Sequence, residues 1–238
     1  MSRLTEWMDR ALYPAHADSW DEDMFRRAIL DRLRPEYEIL DLGAGAGIVE
    51  QLQFRGLVAC VAGVDPDPRV LDNPHLDEAA VGVGERIPFE DDRFDLVVCD
   101  NVVEHLEDPG AVFREVGRVL KPGGHFLLKT PNKHHYVALA ASLTPHWFHQ
   151  KYNARRGREE VDTFPTTYLA NTPRDLERHA RAAGMRVEDV DLIEGRPEYL
   201  RLTAPTYVAG FVYERIVNAT ERLAPVRVVM IADLVKAA

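Results

Sequence analysis

Cysteine is scarce in this chain, with two among 238 residues, Cys60 and Cys99. Each stands in an apolar run, which excludes a disulfide framework and predicts free buried thiols in a reducing compartment. Basic residues are also in deficit, 29 Lys and Arg against 39 Asp and Glu, for a net charge of -10 at pH 7. Such a surface repels a phosphate backbone, so nucleic acid is not an expected partner. Long apolar runs are missing as well. The longest uncharged stretch, Tyr136 to Gln150, has 15 residues, contains Pro145 and two histidines, and falls short of the roughly 20 apolar residues of a membrane span. Met1 to Trp20 mixes Arg3, Glu6, Asp9 and Arg10 with single apolar residues and lacks the apolar core of a signal peptide. The expectation is a cytoplasmic protein without integral membrane association. With 46% hydrophobic and 29% charged residues, the chain is neither disordered nor fibrous and is long enough for one large domain.

What is present is an alternation of strand-length apolar runs with helix-length amphipathic ones, the pattern of a doubly wound α/β sheet. Strands are predicted at Glu38 to Leu42, Ala59 to Val64, Ala79 to Val83, Phe94 to Cys99, His125 to Thr130, Arg186 to Ile193 and Val226 to Ala232. A helix is predicted from Ala46 to Phe54. Another is predicted after Asp108-Pro109, with Pro122-Gly123-Gly124 as its terminator. A third starts at the capping-box sequence Thr172-Pro173-Arg174-Asp175 and stops at Gly184. A fourth runs through Tyr207 to Leu223, its apolar face read as core. Between Pro131 and Asn171 the periodicity fails over a length too great for a plain loop, which predicts an inserted lid. The expected organisation is one domain: an N-terminal helical cap (1–35), a cofactor-binding core (36–131), an acceptor lid (132–171) and a C-terminal part of sheet and helices (172–238).

Chemistry concentrates first in Asp41-Leu42-Gly43-Ala44-Gly45-Ala46-Gly47, directly after the first strand. Glycines there let backbone approach a ligand closely. A dinucleotide turn needs G-x-G-x-x-G, yet Ile48 stands where the third glycine belongs, and Asp41 would repel a phosphate. The same acid attracts an ammonium or sulfonium, and a helix N-terminus can take a carboxylate. Asp65, at the end of the second strand and followed by Pro66, can accept hydrogen bonds from both hydroxyls of a ribose. A ribose joined to an amino acid with a positive centre describes S-adenosylmethionine.

Six separated blocks then resemble one family, the class I S-adenosylmethionine-dependent methyltransferases, particularly the small-molecule enzymes akin to those of ubiquinone and menaquinone synthesis. They are Leu40–Gly47, Gly63–Asp65, Glu85–Phe89, Phe94–Val98, Val103–Leu106 and Val119–Gly124. The resemblance implies a Rossmann-like, seven-stranded sheet, mostly parallel with its last strand antiparallel. It further implies that Asp41, Gly43 and Gly45 line the methionine end of the cofactor, with Ala44 and Gly47 of the same turn also cofactor-binding. Asp65 and Pro66 would then border the ribose, Gly84 and Glu85 the adenine, and Asp100 and Asn101 the reacting centre. Family members often carry an acid where this chain has Val83, so Glu85 or backbone groups would have to hold the adenine amino group. Relatives acting on quinone precursors tend to show E-x-x-E-H, but here Asn101 replaces the first glutamate and no metal is expected.

In-line methyl transfer needs alignment, water exclusion and the handling of one proton, and leaves S-adenosylhomocysteine as product. For a hydroxyl acceptor, His105 is the candidate general base, against the alternative that it only packs its turn. His134, His135, Trp147, Phe148, Tyr152 and Tyr168 are the candidates for the acceptor pocket. The expected activity is methylation of a small molecule, most simply at oxygen, with nitrogen or carbon acceptors and a non-catalytic cofactor-binding module as alternatives.

Overall fold

The computed structural model describes residues 3–14, 20–138 and 165–238. The lid candidates Trp147, Phe148 and Tyr152 therefore lie outside the described residues. One sheet holds seven strands: β1 (Glu38–Leu42), β2 (Cys60–Asp65), β3 (Glu78–Val81), β4 (Phe94–Asp100), β5 (Leu120–Pro131), β6 (Met185–Ile193) and β7 (Val229–Lys236). Their spatial order is β3-β2-β1-β4-β5-β7-β6. The pairs β1–β2, β2–β3, β1–β4 and β4–β5 are parallel, and β7 is antiparallel, as the resemblance implies. The order reverses at β1, where the chain leaves toward β2 on one side and later returns as β4 on the other. Loops after the carboxyl ends of these strands diverge there and open a crevice.

The chain forms two compact units. The larger comprises Arg26–Thr130, Phe164–Asp191 and Ile231–Ala238. Its centre is β1 and β4, whose Ile39, Leu40, Leu96 and Val97 have no solvent exposure; burial on both faces explains their unbroken apolar runs. Helix α3 (Pro109–Val119) begins where the sequence predicts, with the Asp108 carboxylate accepting from the Ala111 amide at 2.9 Å. It buries Val112, Phe113, Val116 and Val119, with Phe113 edge-on to Phe126 of β5. Helix α4 (Pro173–Ala182) starts at Thr172, whose hydroxyl accepts from the Asp175 amide at 3.1 Å. The smaller unit comprises Met1–Phe25, Pro131–Thr163 and Leu192–Met230. It contains α1 (Arg3–Leu12), the first half of α2 (Trp20–Leu30) and α5 (Ala204–Asn218). Tyr207 of α5 donates to buried Asp9 of α1 at 2.8 Å, and Met8, Tyr13 and Tyr207 form the core between those helices.

Four expectations are corrected. The helix predicted from Ala46 to Phe54 is only a 3-10 turn at Glu50–Leu52. Gly47 has a positive φ of 74° and Val49 is extended, so no helical turn propagates from the glycines. Pro122-Gly123-Gly124 does not end α3, because Leu120 already pairs with Phe94. The register then slips so that His125 faces Leu96, and Lys121–Gly124 form the bulge between them. The last helix starts three residues earlier than predicted and stops at Asn218, since Thr203 and Thr206 make a reciprocal capping box. Only Tyr207 and Val217 of its predicted core face are buried, whereas Val208, Val212 and Ile216 are about half exposed. The final strand lies three residues later than predicted, because a Thr220-capped 3-10 turn occupies Glu221–Val226.

Candidate functional site

The carboxyl ends of β1, β2 and β4 bring the glycine turn and three acids together. Gly43, Gly45 and Gly47 all have positive φ, at 86°, 48° and 74°. The turn is tied to β2 by the Gly43 amide donating to the Val64 carbonyl at 2.8 Å. The Gly45 amide donates to Asp65 Oδ2 at 2.9 Å, while Asp65 Oδ1 accepts from the Asp67 amide at 2.8 Å. From the other side, Asn73 Nδ2 donates to the Ala44 and Gly45 carbonyls at 3.1 and 3.3 Å. A Cβ at position 43 would lie 2.3 Å from Val102 Cγ2, and one at 47 would lie 2.4 Å from Asn73 Oδ1. The turn is thus clamped between the residues after β2 and the residues after β4. At Gly45 a Cβ would meet nothing within 4 Å, so that part of the turn faces open space.

Asp41 is buried at the end of β1, and its carboxyl is pushed up to about 7, first by burial and then by the Asp100 and Asp65 carboxylates. Asp100 faces Lys129, which lies beside it in the β4–β5 register, with Nζ 3.0 Å from Oδ1 and both side chains buried. The crevice is therefore negative, and Asp41 is the acid on which that charge is least tolerated. A bound cation would relieve it. A glycine turn that leaves open space at Gly45, with a carboxylate at each neighbouring strand end, suits a ligand with a positive centre at one end and hydroxyls at the other. Asp65 already accepts two amide hydrogens, but each carboxylate oxygen has a second lone pair for a hydroxyl. By these tests the residues present fit S-adenosylmethionine.

Gly84 comes to the same crevice, since a Cβ there would lie 3.6 Å from Leu42 Cδ1 at the end of β1 and 3.2 Å from Val112. Its turn is closed by a bridge between Val83 and Arg86, and the segment after it is held by α3. Glu115 accepts from the Ile87 amide at 2.9 Å, and Arg118 donates to the Ile87 and Phe89 carbonyls at 2.8 and 2.9 Å. Glu85 and Pro66 are exposed at the rim. Asn101 follows Asp100 with a positive φ of 54°, which turns the chain sharply out of β4, and its amide donates to the Lys129 carbonyl.

His105 ends a 3-10 turn, Val103–His105, just beyond. Its Nδ1 lies 2.7 Å from the Pro165 carbonyl, which can only accept, so Nδ1 carries the hydrogen and Nε2 is the basic nitrogen. Nε2 is 4.0 Å from Glu104 Oε1. Glu104 is buried, accepts from Thr130 Oγ1 at 2.9 Å, and has its carboxyl raised by that burial. Asn171 donates to the same Thr130 hydroxyl at 2.7 Å, and the Tyr168 amide donates to the Glu104 carbonyl at 3.2 Å. Tyr168 is thereby brought to the histidine turn. His134 and His135 belong to the smaller unit. There His134 is exposed, while His135 is buried with Nε2 3.5 Å from Glu194 and its ring pushed down to about 3 by burial.

Sequence reasoning missed Lys129, Asn73 and the Thr130–Asn171 pair. Only Lys129 left a signal: an ammonium in the middle of an apolar strand requires a buried partner. Asn73 and Asn171 sit in irregular segments, where an amide looks like any other loop residue.

Comparison with known proteins points to methyltransferases. A family profile described as a methyltransferase domain matches residues 40–128, the stretch that carries every strand end just described. A ubiquinone biosynthesis O-methyltransferase of Azorhizobium caulinodans is 30% identical over 164 residues, 64% of this chain and 60% of that protein. The enzyme of the same name from Pseudomonas syringae pv. tomato is 31% identical over 163 residues, again 64% of this chain and 66% of its own length. The match thus spans less than two thirds of either relative. Among solved structures, an S-adenosylmethionine-dependent methyltransferase from Mesorhizobium loti superposes with a TM-score of 0.58 at 18% identity, covering 92% of this chain and 99% of that one.

Proposed function

We propose that the chain acts as a class I S-adenosylmethionine-dependent methyltransferase and moves a methyl group from S-adenosylmethionine to an oxygen of a small-molecule acceptor. One observation carries the cofactor half of the reading: buried Asp41, strained by Asp65 and Asp100, stands beside a turn of three positive-φ glycines. Asp41 and Asp100 would face the positive centres, Gly43, Ala44, Gly45 and Gly47 the amino-acid end, and Asp65 with Pro66 the ribose. Gly84 and Glu85 would flank the adenine. When bound, S-adenosylmethionine supplies a methyl carbon already activated by its sulfonium, so the protein's own work is alignment, exclusion of water and movement of one proton.

His105 is proposed to take that proton. Its Nδ1 hydrogen is engaged by Pro165, which leaves Nε2 as the basic atom and fixes the ring by its other edge. Glu104, held by Thr130, stabilises the imidazolium that forms. Tyr168 and Asn101, on either side of this turn, would border the acceptor. Oxygen as the target is supported by this base and by the names of the two ubiquinone biosynthesis relatives.

Calorimetric titration with S-adenosylmethionine, S-adenosylhomocysteine and reduced nicotinamide cofactor tests the first half of the reading. Binding of the first two and not the third is expected, and the reverse would replace the assignment. Incubating the protein with S-adenosylmethionine and a panel of phenols, amines and activated carbon acids, read by mass spectrometry, tests the second half. Methyl ethers are expected, and exclusive N- or C-methylation would remove oxygen as the target.

A further inference from the structure

The smaller unit contains a cleft of about 370 Å³ that the reaction described above leaves unused. Its apolar wall comprises Leu12, Tyr13, Trp20, Met24 and Ile193, and its polar side carries Glu194 and Glu214. Glu214 is fully engaged: one oxygen accepts from Tyr13 at 3.1 Å and the other from Asn218 at 2.7 Å. Glu194 is not. Its Oε2 is buried without a hydrogen-bond partner, and the approach of His135 Nε2 at 3.5 Å makes no hydrogen bond. Trp20, 3% exposed, is in the same condition, with Nε1 buried and unpartnered. The two orphans flank one point of the chain, because the Trp20 ring lies so close over Gly195 that a Cβ there would fall 2.7 Å from it. Buried polar groups are rarely left unmatched, since each costs the full desolvation of a donor or acceptor. Burial also holds Glu194 up to about 8 and His135 down to about 3, so near neutral pH these two groups carry little charge, while the charged pair that also lines the cleft, Arg215 with Glu214 at 3.3 Å, is matched within itself.

We infer that the cleft is a binding site for a neutral, flat apolar ring bearing a hydroxyl, the ring lying against Tyr13, Trp20 and Met24 and the hydroxyl meeting Trp20 Nε1 and Glu194. A hydroxyl both accepts, as the indole N–H requires, and donates or accepts, as Glu194 requires in either protonation state. Rings and a thioether favour a flat partner through edge and face contacts. Because none of the residues lining the cleft is among those assigned to methyl transfer, such a compound would act as an effector and not as the methyl acceptor.

Titrating the full-length protein, without S-adenosylmethionine, with 2-naphthol and with naphthalene tests the inference. Naphthol should bind roughly tenfold or more tightly than naphthalene, because only it satisfies the two orphaned groups. Trp20→Phe keeps the ring and removes the N–H, and Glu194→Gln keeps the shape. Each should bring naphthol down to the naphthalene level and leave naphthalene unchanged, with circular dichroism melting showing that both variants fold. Equal binding of the two probes, no binding of either, or full naphthol affinity in both variants would overturn the proposal. Adding S-adenosylmethionine should leave the naphthol bound and unmodified, whereas naphthyl methyl ether whose formation falls with the binding lost in Trp20→Phe and Glu194→Gln would overturn the effector reading. The binding arm contains no S-adenosylmethionine, so its failure is distinct from failure of the proposed methyl transfer.

Discussion

Asp41 carries a charge that its surroundings oppose, and the sign of that opposition makes it measurable. Its carboxyl, ordinarily near 3.8, is held at about 7 by burial and by two neighbouring carboxylates. Between those values the folded chain binds a proton that the unfolded chain has released, so stability falls as pH rises through this window. The full difference corresponds to at most roughly 4 kcal/mol. Asp41→Asn should therefore raise the stability of the free protein at pH 8 by about 1 to 4 kcal/mol and leave it nearly unchanged at pH 4, as read by chemical denaturation. The same variant should weaken S-adenosylmethionine binding by about tenfold or more, a charge-assisted contact being lost. In the native protein that affinity should rise from pH 6 to pH 8, because a cation binds the ionised form. A flat profile would remove Asp41 from the site. His105→Ala should lower turnover about 100-fold with cofactor affinity intact; comparison of kcat with the calorimetric Kd checks it.

The glycine turn is the element on which the crevice depends, and it fails in two separable ways. Gly43→Ala places a methyl group 2.3 Å from Val102 Cγ2 and forces a φ of 86° on an alanine. A loss of about 2 to 3 kcal/mol is expected from strain and overpacking together. Trimming Val102 to Ala in the same chain should recover the steric part and not the backbone part. Thermal melts of the single and double variants decide this, and an unaltered melting temperature in Gly43→Ala would mean that the turn is not clamped as described. The elements divide by how local their causes are. β1, α3 and α4 were legible because each carries its own signal within a few residues: a doubly buried apolar run, Asp108-Pro109, or the Thr172–Asp175 box. The Ala46–Phe54 segment was misread because its apolar residues have helical spacing while the flanking positive-φ glycines hold it in another path. The start of β5 was hidden for a related reason. Pro122-Gly123-Gly124 signals a stop in isolation, but sheet pairing on both sides converts it into a bulge. Of the site, the glycines and strand-end acids were readable from type and position, whereas Asn73, Thr130 and Asn171 act through contacts 26 to 41 residues distant in sequence, which no local pattern encodes.

At the scale of the whole molecule, the chain places its matched family region, residues 40–128, inside the larger compact unit and the hydroxyl cleft inside the smaller one. Ligands of the two sites should therefore leave different footprints in hydrogen exchange. On the proposed assignment S-adenosylmethionine would order the turn at Gly43–Gly47, the Asp65–Asp67 bend, Gly84–Glu85 and the Asp100–His105 segment, all in the larger unit. Amides of these segments should exchange more slowly with the cofactor present, and those of α1 and α5 should be unaffected unless the whole chain unfolds as one body. That exception has a quantitative signature. A ligand at 100 times its dissociation constant adds about 2.7 kcal/mol, and at this size the midpoint should rise roughly 5 to 11 degrees. If both units melt together at the raised temperature, folding is cooperative across the chain and slow exchange will spread to α1 and α5. If only the larger unit gains, two transitions will separate as cofactor is added, the lower one reporting the smaller unit. 2-Naphthol should then move that lower transition and leave the upper one in place. Protection confined to α1 and α5 on adding S-adenosylmethionine would contradict the assignment of the cofactor to the β1–β4 crevice.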